Sequence, residues 1–66
     1  MREVTEFERK VATDMARTAI GFNMQGEELK AFLTRESFMR TGSIVAAVVS
    51  KQLVADADQW YNKEEA

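Results

Sequence analysis

The sequence predicts an all-α fold, a small two- or three-helix bundle completed by homo-oligomerisation. Three observations predict it. The only glycines, Gly21, Gly26 and Gly42, cut the chain into three segments, and no proline interrupts any of them. Within the segments, apolar residues recur at steps of three and four, the spacing that lines one face of a helix. The chain has 66 residues with neither Cys nor His, so a core this small has no disulfide and no thiolate or imidazole metal ligand to reinforce it. A domain of this size buries only about 60% of its unfolded surface. Efficient helix packing and self-association are the remaining sources of stability. The expected organisation is one domain over 1–66, with helices at 5–20, 27–40 and 43–61 and a frayed tail at 62–66.

The first helix opens at Thr5. Thr5 and Glu8 fit the capping box S/T-x-x-E, in which each side chain satisfies a backbone donor at the helix start. Phe7, Val11, Met15, Ala19 and Phe22 form its expected apolar face. Gly21 sits where a left-handed residue would end the helix. A turn, GFNMQG, follows. Glu27 and Glu28 suit the positive end of the second helix, and Arg40 suits its negative end. Leu29, Phe32 and Leu33 share a face, whereas Phe38 and Met39 drift off it, so a bend or stop near Thr34 is expected. Gly42 then turns the chain, and Ser43 is an expected N-cap for the third helix.

The third segment, SIVAAVVSKQLVADADQWY, carries the longest apolar run and the only Trp and Tyr. Val45, Val49, Leu53, Ala57 and Trp60 are its expected core-facing stripe. A strand over 43–50 is the competing reading, because Val and Ile favour sheets. It has no partner strand, and no Gly or Pro ends the run after Ser50.

The residue inventory bounds the chemistry. Without Cys or His, the common nucleophile–base pairs cannot be assembled. The carboxylate pairs Glu27/Glu28, Asp56/Asp58 and Glu64/Glu65 are one or two residues apart and do not face one another on a helix. No catalytic residue, cofactor site or metal site is therefore expected, and the chain is not expected to be an enzyme. GFNMQGEEL lacks the Lys of a phosphate-binding loop and places two carboxylates where a phosphate would sit. A net charge of −2 argues against general nucleic-acid binding. Nothing reads as a membrane span or a signal peptide, and a cytoplasmic location is expected.

What remains is protein interaction. Ala12/Ala16 and Ala46/Ser50 would let helices approach closely. Trp60 and Tyr61 are the kind of large, amphipathic side chains that anchor interfaces. Val45, Val49, Leu53, Trp60 and Tyr61 are the expected interface residues, in a dimer or against a larger protein partner. The expected function is a non-enzymatic interaction module, either a small homo-oligomeric protein or an inhibitor or adaptor. Its size and Cys-free make-up would suit a phage or other mobile element. The alternative is a small helix-turn-helix DNA-binding regulator, suggested by TRESFMRTGSIVAAVVSKQ, whose second helix nevertheless opens on residues unable to read a base edge.

Overall fold

A computed structural model describes residues 3–65, with side chains described for residues 3–57. Three helices follow one another: α1 (Glu6–Gly21), α2 (Gly26–Thr41) and α3 (Val45–Glu65). No strand occurs among the described residues, and the third segment is helical from Val45 onward. Short connections make the path up, down and up, so α1 and α3 run the same way and α2 runs against both.

The ends of α1 follow simple chemistry. The Glu8 backbone N–H donates to Thr5 Oγ1 at 3.1 Å, and the Thr5 N–H donates to Glu8 Oε1 at 3.0 Å, which completes the capping box. At the other end, Gly21 belongs to the helix, and the left-handed residue is Asn23, at φ 54°. Asn tolerates that conformation better than other non-glycine residues, and the Met24 N–H then reaches back to the Ala19 carbonyl at 3.0 Å. The expected role of Gly21 thus falls two residues later. Gly42 does adopt φ +77° and closes α2, donating to the Phe38 carbonyl. Helix α2 is continuous, with no break at Thr34. Helix α3 continues through Glu65, past the expected end at Tyr61.

The core is built from small side chains. Val11, Ala12, Met15, Ala16 and Ala19 of α1 meet Leu33 of α2 and Ala46 and Val54 of α3. Ser37 and Ser50 are fully buried beside them. The small residues Ala12, Ala16, Ala46 and Ser50 are therefore used inside the chain, where they let the helices come close. Leu29, Phe32 and Val49 pack against this centre at its margins.

The stripe on α3 is rotated from the one expected, whereas on α1 Val11, Met15 and Ala19 are buried as expected and only the ends of the face depart. Steps of four residues turn about 400° at 3.6 residues per turn, so a chain of such steps drifts about 40° each time. On α1 that drift leaves Phe7 outside, 59% exposed, with Glu8 buried in its place; Phe22 is 75% exposed. On α3 the buried line is Ala46, Ser50 and Val54. Val45, Val49 and Ala57 are half-buried, and Leu53 is 37% exposed. The physical reason is close approach: the narrowest part of the interface admits Ala and Ser, and the bulkier Val and Leu are turned to its rims.

The α2–α3 corner is held by hydroxyls. Ser37 Oγ donates to the Ser43 carbonyl and accepts from the Ala47 N–H at 3.1 Å. Ser37 thereby caps α3 from the preceding helix. The expected cap, Ser43, accepts only from the Val45 N–H, at 3.3 Å. Thr41 Oγ1 donates to the Ser37 carbonyl at 2.8 Å and accepts from the Ser43 N–H at 3.3 Å. The Ser43 hydroxyl also lies 3.4 Å from Glu8 Oε2, which links the start of α1 to the same corner. An exposed ion pair, Arg40–Asp14 at 2.9 Å, adds a second tie between α1 and α2.

These contacts rank the effects of substitution. Leu33→Ala should cost about 2–5 kcal/mol, as expected for emptying a buried leucine site. Leu53→Ala should cost distinctly less, because its side chain is already partly in water. Ser37→Ala should cost about 1–2 kcal/mol, the usual value of a helix cap. At about 4–8 °C per kcal/mol for a domain this small, thermal melts followed by circular dichroism resolve all three.

Candidate functional site: an apolar groove between α2 and α3

Helices α2 and α3 leave a groove on the side away from α1. Its floor is Leu33, and its walls are Lys30 and Thr34 of α2 and Ile44, Ala47, Val48 and Lys51 at the start of α3. Ile44 is 50% exposed and Val48 64%. Phe38, one turn beyond Thr34 on α2, is exposed as well. The antiparallel pairing gives the groove a polarity. Its apolar end lies at the Gly42 corner, and Lys30 and Lys51 stand together at the far end. A second hollow adjoins that end, lined by both lysines with Gly26, Glu27, Leu29 and Leu33. Among the described residues neither lysine makes an ion pair.

The interface residues expected from sequence are distributed differently. Val49 and Leu53 line a separate hollow on the α1 side, with Val4, Arg9 and Thr13. Val45 is half-buried in the corner. The side chains of Trp60 and Tyr61 lie outside the described residues. Ile44 and Val48, which flank the expected stripe, carry the outward apolar surface. The signal for this was present in the sequence: Ala46 and Ser50, the smallest residues at an i,i+4 spacing, mark the tight face, and Ile44 and Val48 stand off it.

Every buried side-chain nitrogen or oxygen among the described residues has a hydrogen-bond partner. No group of three acidic residues that could hold a metal occurs among them. Asp56, one of the paired carboxylates, accepts from Gln52 Nε2 at 3.0 Å. Glu8 is buried but engaged by Thr5 and Ser43. Among the described residues no helix is long and apolar enough to cross a membrane.

The helix–turn–helix outline at Gly42 exists as a shape. Its second helix, however, presents Ile44, Ala47 and Val48 outward in the first turn, and Lys51 is the first group there able to donate a hydrogen bond. Base reading needs donors and acceptors at that end.

The sequence matches no family model, and neither the curated proteins nor the solved structures contain a significant match to it.

If the groove is idle in the isolated chain, Val48→Asp should leave a dilute sample folded. Its stability should change by no more than about 0.5 kcal/mol, the norm for an exposed site. Circular dichroism melts at low concentration check this; a large loss would mean that Val48 supports the monomer's own core.

Proposed function

We propose that this chain is a non-enzymatic protein-interaction module, and that the α2–α3 groove is its docking face. The observation that carries the proposal is the grouping of Ile44, Val48 and Ala47 over a leucine floor in an open groove. Apolar surface of this kind, bordered by charge, is typical of sites that receive an amphipathic helix. Lys30 and Lys51 at one end, without an ion-pair partner among the described residues, would favour an occupant with acidic residues on that side, and such complementarity sets orientation more than affinity. No cofactor enters the proposal.

DNA binding through the Gly42 corner is the second reading, favoured by the turn geometry and by Lys30 and Lys51 alone. A pull-down from the native host, with and without nuclease, separates the two. Protein that survives nuclease and is lost with Val48→Asp is the expected result. Recovery that depends on nucleic acid, lost with Lys51→Ala and indifferent to Val48→Asp, would replace the interaction module with the DNA-binding reading.

A further inference from the structure

We propose that the groove's occupant is a second copy of this chain, paired through an antiparallel, two-fold α3–α3 contact. Position 51 of each copy lies opposite position 58 of the other. The inference rests on the docking face described above and adds its partner, direction and register.

The first argument is charge. The part of α3 from Val45 to Val54 carries Lys51 as its only charge, whereas residues 55–65 carry Asp56, Asp58, Glu64 and Glu65 against Lys63. Two such helices laid antiparallel bring each acidic half beside the other copy's Lys51, with Lys30 flanking it across the groove. A parallel pairing would instead stack the acidic halves on each other.

The second argument is the helix's own field. A helix is positive at its N-terminus and negative at its C-terminus, so carboxylates are favoured at the start and disfavoured at the end. Helix α3 has no acid in its first turn and ends on Glu64 and Glu65. Its charges are reversed with respect to its dipole. An antiparallel neighbour corrects this, because it places those acids near the positive start of another α3.

The third argument is length and spacing. Helix α3 has 21 residues and α1 has 16, and both start near the Gly42 corner. At 1.5 Å per residue α3 outruns α1 by about 7 Å. A segment that projects past its own bundle is available to lie along another. Positions 44, 48, 51, 55 and 58 follow steps of four, three, four and three, the seam of a paired helix. With 51 opposite 58, Ala55 falls beside the two-fold axis, where a small exposed residue permits close approach. Position 61 falls opposite position 48.

The test uses the full chain in purified form. Wild type should dimerise in sedimentation or light scattering across a dilution series, more weakly at high salt because exposed charge pairs are screened. Lys51→Glu alone and Asp58→Lys alone should each be monomeric, since each homodimer would hold two like-charged contacts. Mixed together, the two variants should form a heterodimer, because both contacts become attractive again. The chain has no cysteine, so Ala55→Cys should cross-link to itself on mild oxidation, and Arg35→Cys on α2 should not. The cross-link also tests the register if a charge variant fails to fold. A wild type that stays monomeric at every concentration overturns the proposal. So does a pair of charge variants that dimerise as well as wild type, or an Ala55→Cys that cross-links no better than Arg35→Cys. The docking reading fails separately, if host proteins are retained equally by wild type and Val48→Asp or if their recovery depends on nucleic acid.

Discussion

The fully buried hydroxyl of Ser37 is the contact on which the rest of this structure depends. A helix start leaves backbone N–H groups without partners, and burying them unsatisfied is costly. Here one of those donors, on Ala47, is satisfied from a different helix, while the same hydroxyl donates to the Ser43 carbonyl. One side chain therefore fixes where α3 begins, how the Gly42 turn is folded and how α2 and α3 lie against each other. Thr41 and Glu8 extend the arrangement. Hydroxyls are well suited to this position because each can donate and accept at once, and none needs the volume that a small core lacks.

The core follows from the same economy of volume. Alanine and serine at the tight positions bring backbones together, which increases dispersion contact along the helices. They bury little apolar area per residue in return. The large apolar side chains that would give more are left at the rims or outside: Phe7, Phe22, Phe38, Met39, Ile44 and Val48 are all exposed. A 66-residue chain that places so much of its apolar content in water has an energetic reason to find a cover for it. Scattered single residues would need no such account. Ile44 and Val48 differ because they share one concave wall with Leu33 beneath.

Much of the fold was legible in the sequence for identifiable reasons. The three glycines mark the segment ends, and Thr5 with Glu8 marks the start of α1, because capping is local chemistry within four residues. Leu29, Phe32 and Leu33 were correctly grouped for the same reason. The face of α3 was less legible, while on α1 only Phe7 and Phe22, the ends of the expected face, turned outward. An i,i+4 series of large residues attracts attention, yet the drift of each step and the narrowness of the actual contact select Ala46, Ser50 and Val54 over Val45, Val49 and Leu53. Ser37 was not legible at all. Nothing local distinguishes a serine in mid-helix that caps another helix from one that faces water. The groove shared that difficulty, since Lys30 and Lys51 meet only through the corner that Ser37 sets.

The charges along α3 now take on a physical meaning that composition alone concealed. A net charge of −2 is unremarkable for a small protein, but its distribution runs against the helix dipole. An isolated helix would be more stable with the acids of its last turn moved to its first. Natural sequences are for the most part locally consistent, and the places where they are not tend to be places with another role. In a monomer the arrangement only weakens α3. In an antiparallel pair the same charges become attractive twice over, once through the lysines and once through the opposing dipole. Each such term is worth a fraction of a kcal/mol to about 1 kcal/mol at an exposed site. In the proposed dimer their joint effect would be to select direction and register, while the apolar wall of the groove would supply the bulk of the association energy. A domain of marginal stability would in this way couple the order of its longest helix to the presence of a second copy.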